Sequence, residues 1–164
     1  MNPPETYRFA DDGRIPNSVL PLLLYRRALP ADAAAMERAF AANGWSGAWR
    51  NGIFTFHHFH SIAHEVLGIA RGEVQVAFGG PAGRTVSVEA GDVVVIPAGV
   101  GHGNMGQTDD LLVVGAYPGG ADYDTRRGDP GEHAAMLRNV TVVPLPDADP
   151  VSGRDGSLRP LWSG

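Results

Sequence analysis

Residues 57–65 read HHFHSIAHE, four histidines and a glutamate within nine positions of a chain that has only six histidines. A fifth, His102, stands apart, after the turn-like stretch IPAGVG. Imidazole and carboxylate at this density do one of two kinds of chemistry: they hold a metal, or they move protons as general acid and base. A patch of surface polarity is the plain alternative. The chain has no cysteine, so thiolate ligands and disulfides are both excluded. Any metal must be held by nitrogen and oxygen, a donor set that suits Mn, Fe, Ni, Co or Zn without choosing between them.

Strand parity sorts the cluster. With 52–60 extended, Phe54, Phe56, His58 and His60 point to one face, and Ile53, Thr55, His57 and Phe59 to the other. The segment SIA turns the chain, and a following strand places Glu65, Leu67 and Ile69 on a common face, within reach of His58 and His60. His102 is positioned to add a fourth ligand. A metal preferring five or six ligands then keeps one or two positions open for water or substrate, which is what separates a catalytic site from a sealed structural one.

The elements that must position these residues are short. Apolar runs from GIFTFHHFH through EVLGIA, GEVQVAF, TVSVEA, GDVVVIPAG and DLLVVGAY succeed one another between glycines, at the spacing of a sandwich or barrel. VQVAF and TVSVE alternate with period two, each with one buried face. With no helix between these runs, a parallel α/β sheet is excluded. Upstream, LLLYRRAL suits a strand, and ADAAAMERAFAANG suits a helix with Met36 and Phe40 on one face and Gly44 at its end. Trp45 and Trp49 read as packing residues. Downstream, DPGEHAAMLRN suits a short helix capped by Asp129 with Pro130 at its first position. One strand and a Pro/Gly-rich arm are expected in the tail. The organisation expected is therefore a strand/helix extension over 1–50, a β core over 51–118, and a helix, strand and arm over 119–164, draped over the core or exchanged with a partner.

The 43% hydrophobic content fits a single soluble domain with a real core, and the formal charge of −5, with no Lys/Arg stripe, argues against nucleic acid and anionic membranes. Neither a signal peptide nor a membrane span is read: VLPLLLY is broken by Pro21 and too short. A cytoplasmic protein is the expectation.

GIFTFHHFHSIAHEVLGIARG matches G-x5-HxH-x4-E-x6-G as Gly52, His58, His60, Glu65 and Gly72, and GDVVVIPAGVGH matches G-x5-PxG-x2-H as Gly91, Pro97, Gly99 and His102. In these two motifs the chain resembles the cupin superfamily (RmlC-like). FADDGRIPN, HHFHSIAHEVLG, VGAYPGG and DPVSG further resemble its YjlB-like subgroup, which has no established reaction. The second motif usually ends in an asparagine four residues after its histidine; Gly106 stands there, and Asn104 lies two residues after. The resemblance implies an all-β double-stranded β-helix (jelly-roll) barrel, usually a homodimer, with one divalent metal held by His58, His60, Glu65 and His102.

The remaining candidates carry different weights. His57 faces away and reads as structural, and His133 as a surface residue. His64 has the opposite parity to Glu65; it is a candidate ligand, acid/base group or plain hydrogen-bonding residue. Phe54 and Phe56 are candidates to line a substrate pocket or to pack in the core. GHGNMG (Gly101 to Gly106) matches G-x-G-x-x-G, but a strand rather than a helix follows it, which rules out a dinucleotide site. The function expected is a small-molecule metalloenzyme of dioxygenase or isomerase type. The alternatives are a non-catalytic metal- or metabolite-binding module, or a structural metal.

Overall fold

In a computed structural model of the chain, residues 1–163 are described. Among the described residues nine strands, all paired antiparallel, form two sheets. They are β1 (Glu5–Phe9), β2 (Ser18–Tyr25), β3 (Trp45–Asn51), β4 (Glu65–Arg71), β5 (Glu73–Phe78), β6 (Arg84–Glu89), β7 (Val93–Ile96), β8 (His102–Gln107) and β9 (Leu112–Pro118). One sheet has the order β1-β2-β7-β4-β9-β3, the other β6-β5-β8. This is the expected jelly-roll, and the first fifty residues supply three strands of its larger sheet.

The inner strands of the larger sheet are buried on both faces, and strand parity divides their residues. Leu22, Leu24, Leu67, Ile69, Val94, Ile96 and Val113 point toward the smaller sheet, where Val74, Val76, Phe78, Val86 and Val88 meet them. Leu23, Tyr25, Val66, Val93, Val95, Val114 and Ala116 point the other way, onto helix α1 (Ala33–Ala42) and the C-terminal helix α3 (Leu158–Ser163). β4 therefore reads as a continuous apolar run, as strands covered on both sides do. Helix α1 starts where Asp32 accepts a hydrogen bond from Ala35 N–H, and it buries Met36 and Phe40 as its spacing requires. Among the described residues no helix is long and apolar enough to cross a membrane.

Three segments differ from expectation. Residues 52–60 form no strand, because their backbone groups bond to separate partners rather than one ladder. Phe54 C=O accepts from Asn104 N–H, His58 pairs with His102, and Phe59 pairs with Arg126. The strand expected in the tail is also missing. Helix α2 (His133–Val142), entered through a short 3-10 turn at Pro130–Glu132 that Asp129 caps, runs through the β-branched VTV and stops at Val143. Val143 precedes Pro144, which forces an extended backbone there (φ −66°, ψ 122°). The strand LLLYRRAL ends at Tyr25 because Arg27 turns the chain at φ 47° and gives its N–H to Asp92.

Candidate metal centre

Both motifs end at one point. His58 and His102 exchange backbone hydrogen bonds (His58 N–H to His102 C=O, 3.0 Å; His102 N–H to His58 C=O, 2.8 Å), so their rings lie 4.1 Å apart. The turn before His102 is fixed by Gly99, which adopts φ +94° and whose N–H donates to His60 C=O. A Cβ at Gly99 would lie 2.3 Å from the carbonyl oxygen of Asn17, so only glycine fits. Asn17 itself is buried and accepts from Gly101 N–H, holding the same turn from the other side.

His58, His60 and His102 are all buried and bring one ring nitrogen each to within 4.8 Å of one another. Which nitrogen is decided by the other edge of each ring. His58 Nδ1 faces the carbonyl of Phe56 (3.0 Å), His102 Nδ1 that of Val100 (3.1 Å), and His60 Nδ1 that of Asp124. A carbonyl only accepts, so each Nδ1 carries the proton and each Nε2 presents a lone pair to the centre. Glu65 Oε1 lies 3.3 Å from both His60 Nε2 and His102 Nε2. Three lone pairs and a carboxylate converging in a buried space repel one another unless positive charge sits between them. The donor set thus fits a divalent cation.

Electrostatics point the same way. Burial, with His102 beside it, pulls His58 down to about 3, so it is a neutral imidazole at any ordinary pH. Burial by itself would raise Glu65, but the His102 and His60 rings 3.3 Å away, which share a proton with it when no metal is bound, outweigh burial and hold the carboxyl below its ordinary range. Burial would likewise lower His60, and Glu65 reverses this to a net rise.

A second layer holds the first. Glu65 Oε2 accepts from the Tyr117 hydroxyl (2.7 Å), and Tyr117 accepts from Trp49 Nε1–H (2.8 Å). Burial and the Glu65 charge push the Tyr117 hydroxyl far above its usual range, so it remains a donor. The Asp124 carbonyl that fixes His60 is itself anchored, its carboxylate taking hydrogen bonds from Ser61 N–H, Ser61 hydroxyl and Arg126 Nε. Tyr117 and Asp124 carry no sequence signal for these roles, since nothing local shows where a tyrosine hydroxyl or a loop carbonyl will end. Trp49, read as packing, has the additional task of orienting Tyr117.

The other candidates separate. Phe54 stacks on Phe56 (4.9 Å) and meets His58 edge-on (5.3 Å, 77°), so both aromatics share the histidine side although the segment is not a strand. Phe54 lines the cavity beside the centre, while Phe56 lies behind it under the Arg127 guanidinium, 4.0 Å above its ring. His64 is not brought to the centre. It follows the parity of Val66 to the opposite face of the sheet, where its Nδ1 accepts from Ala98 N–H and its ring packs 4.8 Å from Trp162. His133 is partly covered, 2.8 Å from Asp11. At the altered end of the second motif, Asn104 bonds to Gln107 and accepts from Gly106 N–H, keeping the turn contact local.

A cavity of about 650 Å³ opens onto His58, His60, Glu65 and His102. A cupin family profile matches residues 49–118, which hold both motifs. The uncharacterised protein YjlB of Bacillus subtilis (strain 168) is 43% identical over 159 residues, covering 96% of each chain. The chain is a cupin of the YjlB-like group. Among solved structures, this cupin is similar to the acireductone dioxygenase of Bacillus anthracis with a cadmium ion in its active centre (18% identity; 62% of this chain and 80% of that one; TM-score 0.46). It is also similar to Bacillus subtilis oxalate decarboxylase, described with Mn(II) centres (18% identity; 74% of this chain and 31% of that one; TM-score 0.39).

Proposed function

We propose that this cupin is a metal-dependent enzyme acting on a small molecule, of dioxygenase or isomerase type, with one divalent transition metal held by His58, His60, Glu65 and His102. The observation that carries the reading is the convergence of three imidazole rings and a carboxylate, each His turned by a backbone carbonyl at its Nδ1. When bound, the metal supplies Lewis acidity toward a chelating oxygen pair, or dioxygen chemistry if it is Fe(II). The open cavity supports an enzymatic role over a sealed structural one, because a small molecule reaches the donors directly.

The chain's own residues then have separable tasks. Leu67, Leu111 and Leu112 give the cavity an apolar wall against which the non-polar part of a small molecule can pack. Tyr117 holds the orientation of Glu65 through Oε2 and leaves Oε1 turned toward His60 and His102. The reading extends to a cytoplasmic protein and, as the family resemblance implies, to a homodimer; sedimentation of the purified protein checks the oligomer.

The test is elemental analysis of untagged protein purified without chelators. About one Fe, Mn, Ni, Co or Zn per chain is expected, and His58→Ala is expected to lose it while keeping a β-type circular dichroism spectrum. A chain that stays empty and refuses added metal would sink the proposal.

A further inference from the structure

The cavity beside the metal centre has an unusual charge pattern for its size. None of its lining residues is Lys or Arg, and Glu65, already committed to His60 and His102, is its one carboxylate. The nearby guanidiniums are engaged elsewhere: Arg126 with Asp124 and Glu132, Arg127 on the far side of Phe56. Aromatic rings border the centre at two of its histidines. Phe54 meets His58 edge-on at 5.3 Å, and Tyr123 meets His60 edge-on at 5.2 Å. Tyr123 also stacks on Tyr117 at 4.4 Å and 17°.

We propose that this cavity takes a flat aromatic substrate, neutral or singly ionised, that offers two adjacent oxygens, the catechol class, and rejects dicarboxylates and phosphorylated sugars. The inference rests on the metal reading above and adds the chemical class of what binds there. With Glu65 the one carboxylate of the lining and no cation beside it, a divalent ion there has room for one singly ionised chelating group before the site turns negative. A second carboxylate, or a phosphate, would find no cation in the lining to pair with, so nothing there offsets the hydration it gives up. A planar ring, in contrast, finds aromatic partners in Phe54 and Tyr123, which line the cavity beside His58 and His60. Both rings are substantially exposed, 56% for Phe54 and 47% for Tyr123, so each has surface left to give to a ligand.

The test is binding, with no turnover required. Full-length protein loaded with zinc, which is redox-inert, is titrated with nitrocatechol by its visible absorption shift, and with oxalate and a hexose phosphate as competitors. Metal content is measured on the same samples. Nitrocatechol is expected to bind at least tenfold more tightly than either competitor. Phe54→Ala and Tyr123→Ala are each expected to weaken it about fivefold without loss of zinc, and Tyr123→Phe to restore affinity. Oxalate or hexose phosphate binding as tightly as nitrocatechol would overturn the inference alone, as would ring removals that leave nitrocatechol affinity unchanged. A protein that refuses zinc would overturn the metal reading and this inference with it.

Discussion

Tyr117 shows how much one hydroxyl does at the centre. It accepts from Trp49 and donates to Glu65, so removing it leaves a buried indole N–H and a carboxylate oxygen without partners. Tyr117→Phe keeps the stack on Tyr123 and deletes only that bridge. Metal affinity is expected to fall about 10- to 100-fold, the scale on which such orienting partners act, as read by chelator competition. His64 carries a different prediction because it lies on the other face of β4. Burial lowers its pKa to about 4 against a smaller opposing pull from the Pro144 carbonyl. Unfolded, the same imidazole takes up its proton near 6.5. Between these values the unfolded chain binds more protons, so the His64 contribution is present above about pH 6.5 and is lost as pH falls toward 4. His64→Asn, whose Oδ1 can stand in for Nδ1, is expected to reduce the stability lost between pH 7 and 5 by about 2 kcal/mol in urea unfolding.

At the scale of elements, two glycines in the large sheet do unrelated work. Gly115 on β9 faces Trp49 on β3, and a Cβ there would sit 2.2 Å from the indole ring. Gly115→Ala must push the ring off Tyr117, at a cost of about 1–3 kcal/mol, and weaken metal binding together with stability. Gly68 on β4 faces the opposite way, where a Cβ would meet Met36 Sδ at 2.8 Å and Phe40 at 3.1 Å. Gly68→Ala is expected to lower thermal stability while leaving metal affinity unchanged, since it loads helix α1 rather than the site. Measuring both quantities on both variants tests whether the two faces of the sheet are energetically separate.

At the scale of the whole molecule, the C-terminal arm closes the outer face. Asp149 is buried and accepts from Tyr25 hydroxyl and from the N–H groups of Val151, Ser152 and Leu158. Trp45 donates to Ala148 C=O, and Trp162 donates to Pro21 C=O while its ring covers His64. The arm is thus packed on its own sheet. Trp162→Ala, which removes a large ring that is only 4% exposed, is expected to cost about 3–5 kcal/mol in chemical denaturation.

The proposed ligand set was legible in the sequence because the chemistry of its first part is local: HxH and a carboxylate after a tight turn follow from spacing and parity, while the place of His102 after PxG came from the family resemblance. The apolar, glycine-punctuated runs likewise determined the β class, since period-two burial is a property of the strand itself. Helix α1 and the Asp129 cap were readable for the same reason. Three things were decided only by tertiary structure. The irregular path of 52–60 depends on which distant backbone groups take its hydrogen bonds. The helical VTV depends on the cap upstream and Pro144 downstream overriding the preference of β-branched residues. The roles of Tyr117, Trp49 and Asp124 depend on two sheet strands and a loop, remote in sequence, meeting at Glu65 and His60. Side-chain hydrogen bonds between such segments have no period and no fixed spacing, so only the packed fold brings their partners together.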